Sequence, residues 1–105
     1  MSSDKKRLLL QLEQAIRALN QEVINPMLPE LTVDSLNPVM SMVARTRALY
    51  LKELFELAGS CEESGPDAAQ IDHLRSLRLS FEEMVAGAQA LETAIGRGYL
   101  DVKTD

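Results

Sequence analysis

Three segments of the sequence repeat apolar residues at intervals of three and four positions, and this spacing constrains the fold more than any other feature. Such intervals place side chains along one face of an α-helix, whereas a half-buried strand alternates every second residue. The first segment carries the stripe Leu8, Leu12, Ala15, Ile16, Leu19 and Val23. Each of the three stripes predicts an amphipathic helix with one side facing a core or a partner.

Proline and glycine mark where these helices should begin and end. Pro26 follows Asn25 and stops the first helix, because the residue before proline is pushed out of the α region. Asn37-Pro38 reads as an N-cap followed by proline at the first helical position, and Pro66 predicts a third helix start in the same way. Gly59 and Gly98 are expected C-terminal glycines. The predicted helices are 3–24, 38–58 and 66–97, with a connector at 25–37 and a frayed tail at 99–105.

Composition supports one helical domain. The chain has 105 residues, of which 46% are hydrophobic, and this is enough for a single core. Aromatic residues make up only 4% and Trp is absent, so the core must consist of aliphatic side chains that suit helix-on-helix packing. We therefore expect residues 1–105 to fold as an all-α, antiparallel three-helix bundle with a long C-terminal helix that dimerises.

Several classes of protein are disfavoured by charge and patterning. The formal net charge is −5 and the basic residues are scattered, whereas nucleic-acid binding requires clustered Lys and Arg. No apolar run approaches the roughly 20 residues that cross a bilayer. Cys61 is the only cysteine, and no signal peptide is visible. We expect a cytoplasmic protein that binds neither nucleic acid nor membrane.

The connector at 25–37 is too apolar for a solvated linker. It contains Met27, Leu28 and Leu31, and we expect these side chains to cover part of the core or an interface.

The predicted third helix is longer than its neighbours. At about 1.5 Å per residue the first two helices would span roughly 30 Å and the third roughly 48 Å. The stretch from about residue 86 to 97 would then lack a full-length partner, and Ala88, Leu91 and Ile95 would need cover. Either the connector folds across them, or a second copy of the chain does.

Small residues at 86–90 lie within this stretch. Gly87 lowers helix propensity but permits close approach of another helix. The run is also compatible with tight packing inside the chain, and a kink at Gly87 would fold the helix back.

Two charged residues fall on apolar faces. Arg47 lies amid the stripe of the second helix, and Glu92 lies amid that of the third. A charge removed from water without a partner costs several kcal/mol. A two-fold dimer would bring Arg47 of one chain to Glu92 of the other; alternatively, each side chain reaches solvent along its apolar stem.

No residue pattern requires a catalytic or metal-dependent chemistry. A carboxylate metal site in a bundle uses Glu three residues before His, but Gln70 precedes His73, the only histidine, at that distance. Cys61 and His73 lack an oxyanion-forming turn for nucleophilic catalysis. We expect no cofactor, no metal and no enzymatic activity.

The segment His73-Leu74-Arg75-Ser76-Leu77 resembles the histidine-phosphotransfer domains of two-component signalling, which are helical bundles of similar size. In that family the exposed, phosphorylated His is followed by Leu, Lys and Gly at the second, third and fourth positions. This chain has Arg75, Ser76 and Leu77 there, so the resemblance covers a few residues and lacks the glycine that allows close approach. It implies phosphotransfer through His73 as an alternative function.

The main hypothesis is a protein-protein interaction or self-associating module, with a second copy or another protein as its partner. Methionines give such a surface adaptability, although Met40 and Met84 also suit core gaps. The candidate interface residues are Met27, Leu28, Leu31, Met42, Arg47, Met84, Gly87, Ala88, Leu91, Glu92 and Ile95.

Overall fold

The computed structural model of the chain describes residues 2–61 and 63–104 and is helical almost throughout. Three α-helices follow one another: α1 (Ser2–Ile24), α2 (Val33–Ser60) and α3 (Ala68–Gly96). A single 3-10 turn, Asn25–Met27, follows α1. Met1 and Asp105, which end the predicted domain and tail, and Glu62 in the turn after α2 lie outside the described residues. The prediction of an all-α fold is confirmed.

The second helix begins five residues earlier than the Asn37-Pro38 pattern predicts. Thr32 and Ser35 form reciprocal bonds: the Ser35 N–H donates to Thr32 Oγ1 at 3.0 Å, and the Thr32 N–H donates to Ser35 Oγ at 2.8 Å. These bonds satisfy amide groups that have no partner inside the first turn of a helix. Pro38 therefore lies inside α2 rather than at its first position.

The earlier start removes the length mismatch on which the expected overhang rested. α2 has 28 residues and α3 has 29, so the two helices match within one residue. α2 is therefore long enough to accompany α3 along its length. The prediction that the apolar end of α3 extends past a shorter second helix was wrong. The expected connector shortens to the residues before Val33.

The ends of α3 are fixed by a side-chain cap and a glycine. Asp67 Oδ1 accepts the Gln70 N–H at 2.8 Å, and Gln70 Oε1 accepts the Asp67 N–H at 2.9 Å. Gly98 has a φ of 76°, and the following Tyr99 N–H donates to the Ala94 carbonyl at 2.9 Å. This is a Schellman arrangement, which needs a left-handed residue after the helix.

The chain divides into two compact units. The first contains the described residues up to Leu36 together with those from Leu91 onward, and the second is Asn37–Ala90. The three-helix bundle that the sequence predicts, and its dimerisation, stay predictions.

In the first unit the C-terminal segment is tied to the connector. The Leu31 N–H donates to the Asp101 carbonyl at 3.1 Å, and the Lys103 N–H donates to the Leu31 carbonyl at 2.8 Å. Asn25 adds two side-chain bonds to Asp101, at 3.0 and 2.9 Å. Leu31 and Leu100 are buried. The expected frayed tail is thus an attached segment over its described part, 99–104.

The second unit is a helical hairpin of α2 and α3. Tyr50 of α2 stacks on Phe81 of α3 with ring centroids 6.3 Å apart, and Cys61 Sγ lies 3.6 Å from Gln70 Oε1. The later residue of α2 is thus close to the earlier residue of α3. The two helices therefore run antiparallel. The seam uses a three-and-four spacing on both helices. The buried and half-buried residues at this spacing are Val39, Val43, Thr46, Tyr50, Glu53 and Leu57 on α2, and Leu74, Leu77, Phe81, Met84 and Ala88 on α3.

Among the described helices, none combines the length and the apolar character that crossing a membrane requires.

Candidate interaction surface

The whole apolar stripe of α1 is exposed. Leu8 and Leu19 are 64% and 61% exposed, and α1 contains no buried residue. Burying a leucine side chain stabilises a protein by about 1.5–3 kcal/mol relative to leaving it in water. α1 therefore has an apolar face whose burial against another surface would be stabilising.

The stripe of α1 also follows a heptad spacing. Successive steps of three and four residues connect five exposed positions, Leu9, Leu12, Ile16, Leu19 and Val23. In a coiled coil these would be the a and d positions, which interdigitate with a second helix. Most of these residues were predicted to share one face of a helix, but none of them was among the candidate interface residues. The signal was present in the spacing, but the expected bundle assigned that face to the interior.

A different side of α1 lies against the C-terminal segment. The Arg17 Cδ lies 3.6 Å from the position that a Cβ on Gly98 would occupy, which is ordinary van der Waals contact. Beside this contact is an open cleft of about 410 Å³ lined by Glu13, Ile16, Arg17, Gly96, Arg97 and Tyr99. On a helical wheel Arg17 is about a third of a turn from the centre of the heptad stripe. The contact with the C-terminal segment therefore leaves most of the stripe free.

The connector is divided between exposed and buried residues. Met27 is 78% exposed and Leu28 is 40% exposed, as an interface residue requires. Leu31, by contrast, is buried next to the segment that contains Leu100. Leu31 is therefore part of the packing of the first unit, as expected of a connector that covers part of a core, and its role at an interface stays a prediction.

The candidate residues on α3 are only partly accessible. Met84, Ala88, Leu91 and Ile95 are half-buried, whereas Gly87 is exposed and has open space where a Cβ would lie. α3 continues without a break through Gly87, where the sequence left a kink open.

Arg47 and Glu92 both reach solvent. The Arg47 guanidinium lies over the Phe81 ring, 5.1 Å from its centroid, and the side chain is exposed. Glu92 is exposed as well. These positions remove the desolvation cost that made the two charges unusual. The intersubunit pair between Arg47 and Glu92 stays a prediction.

Met42 is 48% exposed on α2, away from the seam with α3. Leu49, two turns further along on the same side of α2, and Phe55, on another side, are also exposed and were not among the candidate residues. They are less continuous than the stripe of α1, because they do not follow one spacing of three and four residues.

His73 is paired with an acidic residue of the hairpin. Its Nε2 lies 3.8 Å from Glu53 Oε2, and the side chains are 59% and 22% exposed, respectively. Leu77, which stands where phosphotransfer domains have glycine, is half-buried in the seam. Phosphotransfer through His73 stays a prediction.

No three metal-binding side chains of the His, Cys, Asp and Glu types come together within residues 2–61 and 63–104. Cys61 is a free, half-buried cysteine. The chain matches no family model, no curated protein and no solved structure among those compared.

Proposed function

We propose that this protein is a self-associating helical module without catalytic activity, and that its principal contact is the stripe of α1. The observation that carries the proposal is the exposure of every stripe residue on a helix with no buried side chain. Helices of this length owe most of their stability in proteins to tertiary packing rather than to intrinsic propensity. A second copy of the chain would supply that packing.

The exposed apolar residues are also continuous, which distinguishes them from the scattered apolar side chains of ordinary surfaces. Five heptad positions extend over 15 residues, or about 21 Å from the first to the last. Leu8 lies beside them and is exposed as well. A face of this form suits a helical partner.

Light scattering coupled to size separation, at several protein concentrations, tests the proposal. We expect a mass of twice the 11.6 kDa chain at high concentration. Leu19→Asp should raise the dimer dissociation constant at least about thirtyfold, because an unpaired carboxylate in an apolar contact costs 2 kcal/mol or more.

Gln21→Asp is the matched control, since Gln21 lies on the opposite side of α1 and gains the same charge. It should leave the dimer intact. Circular dichroism of both variants compares their helix content. A wild-type chain that stays monomeric at every concentration would contradict the proposal, and so would a Gln21→Asp variant as impaired as Leu19→Asp.

A further inference from the structure

The direction in which two copies of α1 pair is determined by the charges at the ends of the stripe, provided that the proposed self-association takes place. Lys5, Lys6 and Arg7 lie near the start of α1, whereas Glu22 lies in its last turn, which has no basic residue. The N-terminus of a helix also carries partial positive charge and its C-terminus partial negative charge. Asp4 offsets one of the three basic residues, and the first turns of α1 still carry a net positive charge where the helix dipole is already positive.

We propose that the partner is a second copy of this chain and that the two α1 helices pair antiparallel about a two-fold axis near Gln14. Each basic start then lies beside the Glu22 end of the other copy. In a parallel pair the six basic side chains would instead lie together, and like charges at such spacing are destabilising.

Lys5 distinguishes the two directions most clearly, because it continues the heptad spacing one step before Leu9. A parallel pair would place Lys5 against the partner's Lys5 within the seam. The antiparallel pair places it against the partner's Val23, one residue from the partner's Glu22. There the lysine stem covers an apolar residue while its ammonium group reaches an opposite charge.

The same axis aligns the apolar positions. Leu9 faces the partner's Leu19, and Leu12 faces the partner's Ile16; symmetry repeats both layers. A shift by one heptad toward the C-terminus would leave Leu9 opposite the partner's Pro26, beyond the end of α1. The axis near Gln14 is therefore the register that covers all five stripe positions.

Disulfide trapping tests this arrangement, with Cys61→Ser as the background. The double variant L9C/L19C should form an intermolecular disulfide under mild oxidation, and peptide mapping should join position 9 of one chain to position 19 of the other. L9C alone should not crosslink, because the two copies of position 9 would be about 15 Å apart along the axis, too far for a disulfide.

Three results would overturn the proposed pairing. Efficient crosslinking of L9C alone would show a parallel pair. A dimer by light scattering in which the double variant does not crosslink would show that another surface is used, and self-association itself would stand. A monomer by light scattering would contradict both the pairing and the proposed function.

Discussion

Phe81 makes two contacts across the hairpin, one with an aromatic ring and one with a cation. Its ring stacks with Tyr50 at an interplanar angle of 23°, and the Arg47 guanidinium lies above it. An aromatic pair contributes about 0.5–1.5 kcal/mol beyond the area that it buries, and an exposed cation over a ring adds about 0.5–1 kcal/mol. One side chain of α3 thus connects to two of α2.

Phe81→Ala should destabilise the hairpin by about 2 kcal/mol, less than in a fully buried core because Phe81 is half-buried. Urea unfolding followed by circular dichroism at a fixed protein concentration measures this change. Phe55→Ala is the matched control: Phe55 is 76% exposed, and its removal should change stability by no more than about 0.5 kcal/mol. Equal losses in the two variants would contradict the contacts described for Phe81.

At the scale of the elements, α2 contains a residue that destabilises a helix, Pro38. Pro38 has no N–H to donate to the Asp34 carbonyl one turn earlier, and its ring crowds that carbonyl. The Thr32 and Ser35 bonds hold the first turn in place despite this loss. The start of α2 therefore depends on its cap.

Pro38→Ala should stabilise the protein by about 1–3 kcal/mol, because it restores a helical hydrogen bond and removes the clash. Thermal unfolding followed by circular dichroism should show a Tm at least about 4 °C higher. Pro29→Ala is the control: Pro29 lies outside the described helices, and its replacement should leave the Tm unchanged or lower it slightly. If Pro38→Ala lowered the Tm, Pro38 would not lie within a continuous helix.

The helices were the most predictable elements because their signals are local. The apolar spacing that predicts α1 lies within the helix itself, and Asn25-Pro26, which predicts its end, directly follows its last residue. The start of α2 was predicted wrongly for a local reason too. Asn37-Pro38 and Thr32 with Ser35 are both plausible caps, and the sequence alone does not show which side chains bond.

The attachment of the C-terminal segment was not predictable from such signals. Asn25 and Asp101 are 76 positions apart, and nothing in the composition of 99–104 distinguishes a bonded segment from a frayed one. The burial of Leu31 follows from the same distant contact. The local sequence therefore does not predict which residues are buried or bonded through contacts between distant segments.

At the scale of the whole molecule, buried side chains are scarce. Among the described residues only Leu31, Leu57 and Leu100 are buried hydrophobics. Self-association was predicted from an expected overhang of the third helix, which the structure does not have. The exposed face of α1 gives that proposal a different and more direct basis.

Amide hydrogen exchange of α1 as a function of protein concentration tests the central claim most directly. Concentrations should span the range in which light scattering detects both monomer and dimer, because association stabilises only the associated fraction. We expect exchange at residues 8–23 to slow as concentration rises, while the hairpin amides at 39–57 serve as the internal reference and change little. Exchange in α1 that is independent of concentration would contradict the claim that a second copy covers its stripe.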